Sequence, residues 1–405
     1  MDATQALRHY FGYESFRGEQ ERVIRASLRG RDVVAVLPTG AGKSVCFQIP
    51  AVVRRGLTVV VSPLVSLIED QVSGARRRGI AAFGWTQTTP RTRVTAALNA
   101  AGRRELDLLY LSPERLSLDG VCERLAELGL SALAVDEAHC ISQWGFSFRP
   151  SYLGLRTARE RLGWPPTAAL TATATWRVRR DIERALRLRN TVRILASGNR
   201  PNLRWEVRRV QSPGEAWGLI ERAVTSSREP AIVYARTRKR SARLALELTR
   251  RGVSAGVYHA RLPHDRRQVT QERFLSGALR VVCATTAFGM GIDHPGVRLV
   301  AHLGAPESLE EYVQEAGRAG RDGAPAGCLL ADISSRRRRP WRPGRQDPGG
   351  KSPDAAELER RAGMRSYVET RGCRREAIAR YFGERTPRCT GCDNCFPGEP
   401  GPRRA

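Results

Sequence analysis

The chain has 405 residues, 41% of them apolar, and carries 68 Lys or Arg against 41 Asp or Glu, a formal net charge of +27. That length exceeds one ordinary domain, and the apolar content excludes wholesale disorder. No stretch approaches an apolar membrane span, and the segment from Met1 to Gln5 lacks the basic and apolar regions of a secretion signal, so a soluble cytoplasmic protein with no membrane partner is expected.

The charge points to a polyanionic partner. All but three of the basic residues are arginine (Lys43, Lys239 and Lys351 are the lysines), a skew that a GC-rich coding sequence also produces. Five of the nine cysteines (Cys46, Cys122, Cys140, Cys283, Cys328) are scattered, mostly in apolar stretches, and read as small buried hydrophobes. The other four cluster near the C-terminal end.

In chain order, two helical patterns between Leu7 and Leu28 lead into an apolar strand, Val33 to Leu37, and the loop Pro38-Thr39-Gly40-Ala41-Gly42-Lys43-Ser44. A helix then starts and is expected to stop at Pro50. Further strands are read at Leu57–Val61, Leu106–Leu111, Leu130–Val135 and Ala168–Ala174. The Leu130 run, polar only at Ser131, predicts a strand buried on both faces. Strands alternating with helices imply a doubly wound parallel α/β sheet. The pattern restarts with strands at Ala231–Tyr234, Val253–Tyr258, Arg280–Ala284, Leu299–Leu303 and Gly327–Ala331, and a helix at Lys239–Arg251. Two lobes, 1–198 and 199–332, are therefore expected, joined near Ser197 to Asn202. Residues 333–354 read as a basic Arg/Pro/Gly-rich linker, 355–396 as a helical, cysteine-bearing subdomain, and 397–405 as a disordered tail.

The loop Pro38–Ser44 follows a strand and opens a helix, the context of a phosphate-binding loop. Glycines such as Gly40 and Gly42 let backbone N–H groups close on phosphates, Lys43 would reach the β/γ-phosphates, and the Ser44 hydroxyl would bind Mg²⁺. The strict pattern wants glycine five residues before Gly42, where Leu37 stands. Asp136 and Glu137 follow the Leu130–Val135 strand. Asp136 would hold the metal and Glu137 would orient and deprotonate the attacking water; an isolated acidic pair there is often only a helix cap, and the phosphate loop upstream gives it weight. In the second lobe Ser308 to Arg321 reads as helical, placing Gln314, Arg318 and Arg321 on one face, where the arginines could stabilise transition-state charge. Two arginines on a helix are otherwise usually solvated, but Gly317, Gly320 and Gly323 count against an ordinary surface helix. Trp144, Phe146, Phe148 and Arg149 fit a base-stacking loop, since Gly145, Ser147 and Pro150 among them suit a loop better than a core strand. Cys373, Cys389, Cys392 and Cys395 suit a closed tetrahedral Zn²⁺ site, with an iron–sulfur cluster as the alternative.

This order of motifs resembles superfamily 2 helicases, and more closely the RecQ-family DNA helicases. Asp136-Glu137-Ala138-His139 matches that family's DEAH box, and Cys140 to Gly145 its aromatic-rich loop. Phe16-Arg17 with Gln20 looks like its motif 0, Phe288 to Asp293 like motif V, and Gln314 to Gly323 like motif VI. The resemblance implies two RecA-like lobes plus a small zinc-binding subdomain. It also implies that Tyr13 and Arg17 stack on adenine, that Gln20 hydrogen-bonds its edge, that Thr39 and His139 belong to the nucleotide site, and that Trp144, Phe148 and Arg149 contact single-stranded DNA. The implied activity is ATP- and Mg²⁺-dependent 3′→5′ movement on single-stranded and forked DNA in recombination and repair. A monomer is expected, nucleoid-associated if bacterial.

Some residues depart from the family pattern. Relatives commonly carry His where Phe146 stands, at a position thought to relay DNA binding to hydrolysis, and Phe can neither donate nor accept a hydrogen bond. Arg261 replaces a usual Gly. The arginine–proline stretch partly replaces a helical pair, and a short form lacking the winged-helix and C-terminal nucleic-acid-binding domains of many members is expected. These departures keep open a DNA-binding or strand-annealing protein with a weakly coupled ATPase, and an RNA helicase of the same superfamily is a second rival.

Overall fold

The structure, a computed structural model, describes residues 1–54, 56–145, 147–289, 294–333, 354–385 and 388–398. Phe146, positions 290–293 of the Phe288–Asp293 motif, most of the basic linker and the tail from 399 lie outside the described residues. The chain divides into two compact units, Met1–Gly198 and Asn199–Ala405. Among the described residues, no helix is long and apolar enough to cross a membrane.

The first unit is a seven-stranded, all-parallel sheet. Its strands are β1 (Val33–Val36), β2 (Leu57–Val61), β3 (Ala82–Trp85), β4 (Leu108–Leu111), β5 (Leu130–Val135), β6 (Thr167–Thr171) and β7 (Val192–Leu195), in the spatial order β3-β4-β2-β5-β6-β1-β7. The central strands are apolar at nearly every position because helices cover both faces. Successive side chains alternate between two cores: Val59, Leu109 and Leu133 face one, Val60, Leu108 and Ala134 the other.

The second unit is a six-stranded parallel sheet: β8 (Leu203–Val210), β9 (Ala231–Ala235), β10 (Ala255–Tyr258), β11 (Val281–Ala284), β12 (Leu299–Leu303) and β13 (Ala326–Ile333), ordered β10-β11-β9-β12-β13-β8. The helices Ala355–Glu369 and Arg374–Phe382 complete it, their Met364, Tyr367 and Val368 joining the core around Trp205 and Tyr312.

Four expectations need correction. The helix after the phosphate loop runs Val45–Val53 straight through Pro50, which sits inside it and forfeits only the one N–H bond that would have gone to the Cys46 carbonyl. The strand expected to reach Ala174 ends at Thr171. β5 is fully buried only at Leu133–Val135, its first three residues being half-buried. The helix expected to span Ser308 to Arg321 ends at Ala316. Arg318 and Arg321 then lie on turns, where Gly320 (φ +54°) and Gly323 (φ +85°) take left-handed backbone that breaks helical continuity.

Candidate active site

The phosphate loop leaves the carboxyl end of β1, anchored where the Leu37 N–H donates to the Thr171 carbonyl at 2.9 Å. Gly40 (φ +83°) and Gly42 (φ +70°) hold it in left-handed turns. Gln20 clamps it from outside: Nε2 donates to the Ala41 carbonyl at 2.7 Å and the Gly42 carbonyl at 3.2 Å, while Oε1 accepts the Arg17 N–H at 2.9 Å. A Cβ at Gly42 would stand 2.6 Å from Gln20 Nε2. With both amide protons engaged, Gln20 offers a base edge only the second lone pair of Oε1. Close by in sequence, the Arg17 guanidinium lies 5.1 Å from the centre of the Tyr13 ring, which is 43% exposed.

β5 is separated from β1 by β6 alone, so Asp136 and Glu137 emerge at the same sheet end as the loop. Both are buried. Asp136 Oδ1 accepts the Glu137 N–H at 2.9 Å, and Glu137 itself sits in left-handed backbone (φ +47°), an uncommon strain for a residue with a side chain. Burial, and then the neighbouring Glu137 charge, push the Asp136 carboxyl up to about 7, while Lys43 pulls the other way. A divalent cation would relieve that crowding, and the hard oxygens of Asp136 and Ser44 suit Mg²⁺.

His139 is buried, with Nδ1 2.9 Å from Thr171 Oγ1 and 3.3 Å from Glu137 Oε2. Burial disfavours the imidazolium, but contacts with Cys140 and Glu137 outweigh it and raise the pKa to about 10. Thr171 was not among the expected site residues. Its only signal is a threonine, followed by Thr173, at the carboxyl end of an otherwise apolar strand.

The chain then folds back beneath the acidic pair. The Gly145 N–H donates to the Ser142 carbonyl at 2.9 Å, and a Cβ there would fall 2.3 Å from the His139 carbonyl oxygen. Ser142 Oγ donates to Asp181 Oδ2 at 2.6 Å and accepts the Trp144 N–H at 3.1 Å. Trp144 packs on the edge of the core and Phe148 is half-buried, so both aromatics sit partly inside a loop. Arg149 Nη1 donates to the Pro63 carbonyl at 2.5 Å, tying the loop to the end of β2.

In the second unit Gln314 is half-buried on the helix Leu309–Ala316, while Arg318 is 5% exposed with no partner at its Nε. A Cβ at Gly289 would lie 3.0 Å from Arg318 Nη2, so this glycine makes room for the guanidinium. Nearby, His302 Nε2 lies 2.9 Å from Glu315 Oε2. Burial pushes Glu315 up to about 8 and His302 down to about 3, so the contact is a neutral hydrogen bond rather than an ion pair.

The thiols of Cys373, Cys389, Cys392 and Cys395 lie within 4.8 Å of one another, a donor set that fits a tetrahedral Zn²⁺. The cluster is fastened to the sheet by Asp393: its Oδ2 accepts the Val207 N–H at 2.9 Å, and Oδ1 accepts Arg374 Nε at 2.9 Å. Arg375 grips the strand entry, donating to Asn199 Oδ1 at 2.8 Å and the Arg200 carbonyl at 2.9 Å.

Residues 17–182 match the DEAD/DEAH box helicase family, 217–323 the helicase conserved C-terminal domain, and 332–396 the RecQ zinc-binding family. The chain is 38% identical over 404 residues to the ATP-dependent DNA helicase RecQ of Haemophilus influenzae, covering 97% of this chain and 63% of that protein. It is 37% identical to an Acanthamoeba polyphaga mimivirus protein that carries an RNA-helicase name, covering 96% of this chain and 71% of that one. The chain belongs to the RecQ family. This RecQ-family chain thus spans under two thirds of the Haemophilus relative's length. Its fold is shared with the helicase MrfA bound to DNA (TM-score 0.68, 19% identity, 82% of this chain and 51% of that chain covered).

Proposed function

We propose that this RecQ-family chain is an ATP- and Mg²⁺-dependent DNA helicase that moves 3′→5′ along single-stranded DNA and opens forked duplexes in recombination and repair. The observation that carries the reading is one connected path in the first unit. It runs from the phosphate loop through Thr171 and His139 to the acidic pair, and from Ser142 to the Trp144 loop. Lys43 and the loop N–H groups would bind the phosphates, Tyr13, Arg17 and Gln20 the adenine, and Thr39 and Gly40 would shape the loop. Ser44 and Asp136 would hold Mg²⁺, which neutralises phosphate charge. Glu137 would take the proton of the attacking water. Gln314, Arg318 and Arg321 would meet the developing charge, and the buried, incompletely partnered Arg318 suits that role.

Trp144, Phe146, Phe148 and Arg149 would contact the DNA strand. Cys373, Cys389, Cys392 and Cys395 would hold one structural Zn²⁺. The division we propose is 1–198 and 199–332 for the lobes, 333–354 for a linker and 355–396 for the zinc-binding subdomain, in a cytoplasmic monomer.

The test is forked-duplex unwinding with ATP hydrolysis measured alongside, with and without single-stranded DNA. Unwinding with DNA-stimulated hydrolysis is expected. Strand binding or annealing without stimulation would favour the weakly coupled reading. The name carried by the mimivirus relative motivates an RNA-helicase reading, which preferential stimulation by RNA would support.

A further inference from the structure

We propose that the start of the helix Trp176–Ala185 forms a second contact surface for single-stranded DNA, continuous with the Trp144 loop. This rests on the reading that the Trp144 loop itself meets DNA. Trp176, the first residue of that helix, leaves 52% of its surface exposed. The Arg177 guanidinium lies 4.9 Å from the Trp144 ring centre and 5.6 Å from that of Trp176, and Arg180 lies 5.6 Å from Trp176. Two indoles and two guanidinium groups therefore make one array that crosses from loop to helix.

The charge on this face works against the helix. Arg177 and Arg179 stand in the first turn, which contains no acid although the macrodipole favours acids there, and Arg180 follows in the second; Arg179 Nη1 donates to the Ala174 carbonyl at 3.0 Å. The helix's acids face elsewhere: Asp181 accepts Ser142 Oγ, and Glu183 pairs with Arg193 at 2.6 Å. Flat rings interleaved with cations match a strand that offers bases to stack and phosphates to neutralise. The same charge disfavours a basic or purely apolar peptide. Asp181 holds Ser142, which holds the Trp144 backbone, so a strand seated on Trp176 bears on the element that carries the DEAH loop.

The experiment is anisotropy titration of a dye-labelled oligothymidylate at several salt concentrations, using the full chain and its Trp144→Ala, Trp176→Ala, Trp176→Phe and Arg180→Gln variants. Trp176→Ala should weaken binding about tenfold, within the range one stacked base contributes. Trp176→Phe should recover most of that loss, which separates stacking from misfolding. Arg180→Gln should make the log–log salt dependence shallower by about 0.7, as for one lost phosphate contact. Wild-type affinity in Trp176→Ala, with Trp144→Ala weakened, would overturn this inference alone. No binding by the unaltered chain would remove the parent reading and this one together. Phe as weak as Ala at position 176, or a polyglutamate of equal charge competing as well as the oligonucleotide, would also overturn it.

Discussion

Ser142 is the hinge pin between the acidic pair and the aromatic loop, and replacing it with alanine isolates that role. The side chain is 1% exposed, gives a 2.6 Å hydrogen bond to the Asp181 carboxylate and takes the Trp144 N–H. A hydrogen bond to a charged group contributes about 1.5–3 kcal/mol, and the Trp144 N–H, near the surface, recovers part of its loss from water. Ser142→Ala should therefore destabilise the first unit by about 2–3 kcal/mol, a shift of about 1 M in urea midpoint at a slope of about 2–3 kcal/mol/M. Asp181→Asn keeps an acceptor but not the charge and should cost about half as much. The functional assay is the ratio of ATP hydrolysis with single-stranded DNA to that without it. That ratio should fall in Ser142→Ala and fall less in Asp181→Asn. Unchanged stability and unchanged stimulation in Ser142→Ala would refute the linkage; an Asp181→Asn variant indistinguishable from the parent chain would show that the Asp181 charge is irrelevant.

Further outcomes are open to direct measurement. Lys43→Ala should abolish ATP hydrolysis, checked by phosphate release at saturating DNA; substantial turnover would remove Lys43 from the site. Elemental analysis should find one zinc per chain, and Cys392→Ser should lose the metal and lower the unfolding temperature, because the cluster ties the segment of Cys389, Cys392 and Cys395 to Cys373 at the start of the helix Arg374–Phe382; iron would overturn the assignment. Gly145→Ala should disrupt the DEAH loop, since the Cβ meets a backbone oxygen, and DNA-stimulated hydrolysis should fall sharply relative to the parent chain. For Glu315, raised to about 8 when folded against a usual value of 4.5, the folded state binds the extra proton. Its stabilising contribution is therefore full below about pH 4.5 and is lost as pH rises toward 8. Glu315→Gln, which stays neutral, should flatten that decline in urea unfolding curves recorded from pH 5 to 8; parallel slopes would contradict the assignment.

The phosphate loop, the DEAH tetrad and the cysteine spacing were legible because each is a short contiguous pattern whose chemistry depends on local order. The same holds for β2, β5 and β12, whose read bounds match the observed ones, since strands in the middle of a covered parallel sheet have nearly every position apolar. The strands that were not read, β3, β7 and β8, are all at sheet edges. Arg193 in β7 and Arg208 and Arg209 in β8 are tolerated there because an edge strand has one neighbour and partial solvent, while Arg204 is buried and donates to the Phe396 carbonyl at 3.0 Å. The polar residues of β7 and β8 erase the pattern that the central strands show, whereas β3 is a four-residue run interrupted by Gly84.

The sequence by itself therefore determined the class of fold, the family and the residues with chemistry to offer, because these follow from spacing along the chain. Only the tertiary structure decided which of those residues meet. His139 finds Thr171 across 32 positions, Ser142 finds Asp181 across 39, and Gln20 reaches the phosphate loop across 21. Arg318 lies off the helix in a buried turn, and the room for its guanidinium comes from Gly289, 29 positions earlier in the chain. Hydrogen bonds and burial act over a few ångströms whatever the distance in sequence, so no pattern along the chain could have named these pairs.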